Sequence, residues 1–329
     1  MRSEFHTSLR RCGVSVASAV SHEVWSAMSD LVPGAWHQPV MVEEALRGLN
    51  PQPGAVIVDA TLGTGGHSLA ILPHLLPNGR LIALDRDSDT LSRARQRLIE
   101  FASVVTFAHD DFRHLRRVLD HLELSGVDGV LLDVGMSSVQ LNDPARGFSF
   151  SHDGPLDMRM NAEQTLTART LVHTFSAEEL AALLEQFGEE RFAARIARRI
   201  VQERHKHPIA TTAQLARIVC AAVPGGSRHG RVHAATRTFQ ALRIAVNDEL
   251  GALEACLDSL SGLLRPGGRA VIITFHSLED RLVKRRFAEG AREGVWTLLT
   301  KKPLRASETE VSRNPRARSA KLRAVERRA

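Results

Sequence analysis

Apolar positions along the chain follow two alternating patterns, and the alternation predicts an α/β architecture. Short apolar runs closed by an acid occur at 56–59, 80–85 and 129–133, and another run lies at 104–108. Short runs that are continuously apolar and bounded by turn residues predict strands buried on both faces of a parallel sheet. Between them the spacing opens to that of a helix, with Leu91, Ala94 and Leu98 on one side of a helix over 88–100. A fifth strand is expected at 269–275 and a helix at 278–289 capped by Ser277. The last two strands are expected at 296–300 and 321–325.

From about 145 to 235 the alternation stops and no strand is evident. Residues 140–165, rich in Gly, Pro, Asp, Arg and Phe, predict an ordered loop. Ser176 with Glu179, and Thr211 with Gln214, form capping boxes that open helices over 177–187 and 212–222. Between them Phe192, Ile196 and Ile200 recur at four-residue spacing in a helix over 189–203. The pattern returns at Thr236 as one long helix carrying Phe239, Leu242, Val246, Leu250, Leu253, Leu257 and Leu260, stopped by Pro266-Gly-Gly268. The expected organisation is therefore a sheet domain of residues 34–140 and 236–329, interrupted by an all-helical substrate-recognition insertion at 141–235. Residues 1–33 lack clear periodicity, and Glu4, Glu23 and Asp30 oppose a transit peptide. They are expected to be a disordered extension, or the result of an early start codon with Met28 as the true start.

The first strand runs into Asp59-Ala-Thr-Leu-Gly-Thr-Gly-Gly-His-Ser68, and the second ends in Asp85. Strand, Gly-rich turn, helix, strand and acid is how a doubly wound sheet holds a nucleoside. Gly63, Gly65 and Gly66 are followed by His67 and Ser68, so the third glycine of a dinucleotide fingerprint is missing. Asp59 would repel a diphosphate, and it suits a cationic ligand such as S-adenosylmethionine. A dehydrogenase and a ligand-free turn are the competing readings.

Composition narrows the class. The chain has 329 residues, 43% of them apolar, enough for a large core, and no apolar run reaches the roughly 18 residues of a membrane span. Cys12, Cys220 and Cys256 are odd in number and show no C-x-x-C spacing, which argues against a disulfide framework or a zinc site. No metal is expected, and the cysteine usage fits a reducing cytoplasm. The net charge of +6 favours a polyanionic partner. From Ser312 onward Arg313, Arg316, Arg318, Lys321, Arg323, Arg327 and Arg328 face one acid, Glu326. Arg191, Arg195, Arg198 and Arg199 share one helical face, either solvated or set against RNA phosphates.

Several long segments resemble the signatures of the ribosomal RNA small subunit methyltransferase H family. They include the Asp59–Ser68 loop, Leu84-Asp-Arg-Asp87, Leu131-Leu-Asp-Val-Gly-Met-Ser-Ser138, Arg146-Gly-Phe-Ser-Phe150 and Asp153-Gly-Pro-Leu-Asp-Met-Arg-Met160. Gly188-Glu-Glu-Arg-Phe192, Ala235-Thr-Arg-Thr-Phe-Gln240, Thr274-Phe-His-Ser-Leu-Glu-Asp280 and Asn314-Pro-Arg-Ala-Arg-Ser319 continue the match, which spans about 37–327. The resemblance implies a class I S-adenosylmethionine-dependent methyltransferase fold, Rossmann-like, with an inserted helical domain. It implies methylation of the N4 amino group of a decoding-centre cytosine of 16S rRNA in the small ribosomal subunit. It also implies cofactor contacts at Gly65, Gly66 and His67 around the methionine portion, Asp85 on the ribose and Phe112 on the adenine, with Asp133 and Gln140 completing the set. Asn142 and Met136 depart from the usual Asp and Val, and the stretch before Asn314 is shorter than in many relatives.

The chemistry leaves alternatives open. The cytosine N4 lone pair is delocalised into the ring, so an N–H acceptor and in-line positioning would help it attack. Asp133 is the candidate acceptor, or a plain cofactor contact, since the Asp/Asn-Pro-Pro-aromatic tetrapeptide of many amino-methylating enzymes is absent. Asp153, Asp157 and Arg159 could shape a target pocket held rigid by Gly154 and Pro155, with Phe148 or Phe150 stacking on a flipped base. The alternative is that both Phe residues are core and the Asp–Arg pair is internal to the loop. His276, Ser277 and Asp280 fit capping better than a hydrolytic triad. A DNA amino-methyltransferase and a non-catalytic RNA-binding protein are the rivals. The oligomeric state is open, a homodimer included.

Overall fold

The expected apolar runs become the centre of one sheet in a computed structural model that describes residues 38–224 and 233–329. The extension expected at 1–33 lies outside the described residues. β1 (Val56–Asp59), β2 (Arg80–Asp85), β3 (Val105–His109), β4 (Val127–Asp133) and β5 (Leu264–Thr274) run parallel. β7 (Lys321–Arg327) lies antiparallel between β5 and β6 (Trp296–Leu298), giving the order β3-β2-β1-β4-β5-β7-β6. The strand order reverses beside β1, so the crevice over the carboxyl ends of β1 and β4 is the place where such a sheet binds its ligand.

Alternate residues of each strand enter opposite cores, as a period of two requires. Val58, Ile82, Leu84, Val130, Leu132 and Ile272 face one core. Ile57, Leu81, Ala83, Leu131, Val271 and Ile273 face the other. The second is covered by α1 (Val42–Leu49), α2 (Gly66–Leu75) and α3 (Ser88–Arg97), through Leu49, Leu72, Leu75 and Leu91. On the first lies α4 (Leu115–His121), and a short helix, α5 (Ser138–Asn142), follows β4.

A third core belongs to helices. α6 (Ala168–Thr174), α7 (Ala177–Gly188), α8 (Ala193–Lys206) and α9 (Thr212–Ala222) bury Leu171, Leu184, Ile196, Ile200, Leu215 and Val219 together. Both expected capping boxes form, at Ser176–Glu179 and Thr211–Gln214. α6 was not expected, and α8 starts later than residue 189 because Glu189 turns left-handed (φ 47°) to end α7. An isolated bridge between Pro155 and Thr211 anchors the long loop to α9.

The long helix expected from Thr236 is two helices, α10 (Thr236–Asn247) and α11 (Glu249–Leu263), broken by Asp248 at φ 46°. α11 covers the sheet through Leu253, Leu257 and Leu260. α10 instead puts Phe239, Leu242 and Val246 into the helical core, so that core reaches past the boundary expected at 235. β5 begins at Leu264, before the Pro-Gly-Gly stop. Residues 265–268 bulge out between the Val127–Leu264 and Gly129–Arg269 pairs. α12 (Ser277–Arg292) is capped by His276 and Glu279 rather than by Ser277, whose hydroxyl donates to Glu189. α13 (Glu308–Arg313) precedes β7. No helix among the described residues is long and apolar enough to cross a membrane.

Candidate active site

The loop from β1 to α2 is built from backbone needs first. Gly65, at φ 78°, occupies the left-handed region that favours glycine, and a Cβ on Gly66 would stand 2.9 Å from Pro39. α2 therefore opens with no side chain on its first amides. Free N–H groups at a helix start, with the positive end of its dipole, suit a carboxylate. Asp59 is 1% exposed and turned inward, where Ser68 Oγ donates to it at 2.7 Å and the Thr61 N–H at 3.3 Å. It braces the loop, and burial raises its carboxyl above the ordinary value.

Asp85 closes β2 beside this loop. The Gly63 N–H donates to Oδ2 at 2.8 Å and the Asp87 N–H to Oδ1 at 2.9 Å. Burial, with smaller repulsions from Asp87 and Asp59, overcomes those two hydrogen bonds and pushes its pKa up to about 7. Asp87 caps α3 with Oδ1 and collects Gln140 Nε2 and Arg146 on Oδ2, each at 2.8 Å. Gln140 also accepts the Ser137 N–H at 3.0 Å, so its buried amide is engaged with the protein at both ends. Arg146 continues to the carbonyls of Arg159 and Met160. Sequence reasoning named Gln140 but missed Asp87 and Arg146, whose signal was only their place inside two quoted motifs.

Asp133 closes β4 across the crevice. Its N–H donates to Thr61 Oγ1 at 2.6 Å, and Oδ2 lies 3.3 Å from His67 Nε2. That separation is an ion-pair distance without the alignment of a hydrogen bond. Oδ1 is buried and has no hydrogen-bond partner among the described residues. The segment before β7 folds back over this region. Glu310 accepts the Met41 N–H at 2.7 Å, Asn314 donates to the Gln38 carbonyl, and Arg316 donates to Ser138 and Asn142. Glu310, Asn314 and Arg316 as struts of the site were not read from the sequence. Asn142, the departure from the usual Asp, keeps a carbonyl oxygen for Arg316.

The remaining candidates separate. Phe112 is half-buried against the sheet core after β3. It does not line the cleft of about 470 Å³ formed by residues including Arg86, His109, Asp111, Gln164 and Asn247. Phe148 is core, and Asp157 holds Arg159 through two 2.8 Å contacts as a half-buried ion pair within the loop. Phe150 stacks on His233 at 4.6 Å and meets Phe239 edge-on at 5.0 Å. Asp153 accepts the Ala213 N–H at the start of α9. Arg195 and Arg198 are exposed, whereas Arg199 pairs with Glu203 and Arg191 lies over the Phe192 ring. Glu249, His276 and Glu279 come close enough to share a cation, and Arg243 already supplies the positive charge there with two 2.8 Å contacts to Glu249.

Residues 34–328 match the model of a family described as the MraW methylase family. A protein of Symbiobacterium thermophilum named ribosomal RNA small subunit methyltransferase H is 48% identical over 304 residues, covering 88% of this chain and 96% of its own. Its namesake in Geobacter sulfurreducens is 52% identical over 306 residues, covering 88% and 98%.

Proposed function

The chain belongs to the MraW methylase family, and on that premise we propose that it transfers a methyl group from S-adenosyl-L-methionine to 16S rRNA. The finer reading is the N4 amino group of a P-site cytosine, within the small ribosomal subunit and in the cytoplasm. The observation that carries it is the set of polar groups converging on the switch point: the uncapped amides of α2, the Asp85 carboxylate and the unpartnered Asp133 Oδ1.

These residues fit the cofactor. The amides around Gly65, Gly66 and His67 suit its carboxylate and the Asp85 carboxylate suits a ribose diol, while Phe112, half-buried on the sheet core after β3, is the candidate for the adenine. When bound, the cofactor supplies an activated methyl on a sulfonium. Gln140 acts indirectly in this reading, holding Asp87 and the β4–α5 loop in register. Asp133 Oδ1 would accept an N–H of the target amine, keeping its lone pair turned toward the methyl carbon. The helical layer serves as the substrate-recognition domain, with exposed Arg195 and Arg198 available to rRNA phosphates.

The test uses labelled S-adenosylmethionine with small subunits from cells lacking this enzyme, followed by mass spectrometry of digested rRNA. N4-methylcytidine is the expected product. Label in DNA and none in rRNA would move the activity to a DNA amino-methyltransferase.

A further inference from the structure

His67 is only 6% exposed, in the first turn of α2, where the positive end of the helix dipole disfavours a charged imidazole. Burial disfavours that charge as well, yet three carboxylates from three elements oppose both effects. They are Asp133 from β4, the strongest of the three, Asp59 from β1 and Glu310 from α13, and they raise the imidazole's pKa above 6.5. Asp59 and Glu310 are fixed by Ser68 Oγ and the Met41 N–H, so the acids stand in place before any ligand arrives. Asp133 divides its carboxylate unequally: Oδ2 faces His67 at 3.3 Å, and Oδ1 is buried with no donor among the described residues. A buried oxygen without a donor carries a desolvation cost, which is relieved when a ligand N–H reaches it.

We propose that His67 is a positioning residue for methyl transfer, fixing Asp133 through Oδ2 so that Oδ1 accepts an N–H of the target amine and takes the proton that nitrogen loses. The inference rests on the reading above that the acceptor is an exocyclic amine. The nitrogen forms a bond to the methyl carbon as that carbon's bond to sulfur breaks, with the electron pair remaining on sulfur. One N–H proton passes to Asp133 Oδ1 and then to solvent. An imidazolium beside Oδ2 serves this by drawing that oxygen toward His67, which leaves Oδ1 turned to the amine. Asp133 is then the catalytic residue, and His67 acts through it.

Two measurements test the pair. The first is a carbon-13 NMR titration of labelled histidines in the protein without cofactor. The His67 resonance is expected to titrate above 6.5 in the wild type and lower in Asp133→Asn; titration at or below 6.5 in the wild type overturns the proposal. The second compares single-turnover transfer to small subunits by wild type and His67→Gln across pH. The variant is expected to be roughly tenfold slower, less than the roughly hundredfold or more lost with a group that itself takes the proton, because His67 acts through Asp133. Its cofactor affinity by calorimetry and its KM for the subunit should be unchanged, because the cofactor meets backbone amides there. His67→Gln as fast as an active wild type overturns the positioning role alone. A wild type that methylates no subunit overturns the parent reading and this one with it.

Discussion

Asp85 is held by two backbone N–H donors, and burial still leaves its pKa at about 7. Its proton therefore bears on both stability and binding. Between the unfolded value near 3.8 and about 7 the folded protein holds a proton that the unfolded chain has lost. The favourable contribution is present in full below 3.8 and is lost as pH rises through 7. Ribose hydroxyls donate to the ionised form, so cofactor affinity should rise between about pH 6 and about pH 8 and then level off. Calorimetry in buffers of different ionisation enthalpy should detect proton release below neutrality, and an affinity flat across that range would remove Asp85 from the ribose. The acid itself was legible, because an apolar run ending in Asp after a Gly-rich turn is a local pattern. The engagement of Gln140 with Asp87 was not, since 53 positions separate them and only the folded chain brings them together.

At the scale of elements, the least legible feature is the break between α10 and α11. Apolar residues keep helical spacing from Phe239 to Leu260 on both sides of it, and periodicity does not register a single left-handed residue. Asp is among the few non-glycine residues that adopt that conformation at modest cost. The break is used by Asn247, whose Oδ1 accepts the Met160 N–H at 2.7 Å while Nδ2 donates to the Met158 carbonyl at 2.8 Å. Asn247→Ala should leave both buried backbone groups unpaired and destabilise the protein by about 3 kcal/mol. The check is a shifted urea midpoint at unchanged slope, and a loss below about 1 kcal/mol would mean the loop finds other partners. Capping boxes were legible because they join residues three apart. The cap on α12 was misread because His276 is not among the residues usually found there.

At the scale of the molecule, loss of strand alternation announced a helical region but not how far its core extends. Composition and period are alike in a helix that covers a sheet and in one that covers other helices, so α10 could not be assigned before its neighbours were known. Its packing has a thermodynamic consequence. Residues 38–329 form one compact unit, and several links among the described residues cross between its helical and sheet cores. α10 carries apolar residues of the helical core and continues into α11 on the sheet. Arg86, beyond β2, donates twice to the Asn247 carbonyl at 3.1 Å. Glu189, at the end of α7, takes Ser277 Oγ at 2.6 Å and Arg281 at 2.7 Å from α12, and these donors hold its carboxyl below the usual range. An insertion that folded on its own would melt separately from the sheet, whereas parts joined through consecutive helices and polar links lose stability together. Calorimetry should therefore record one unfolding transition whose calorimetric and van't Hoff enthalpies agree. Two resolved transitions would show that the helical layer is an autonomous domain after all. Glu189→Ala, which cuts a polar link and leaves both cores intact, should lower the single midpoint without splitting it.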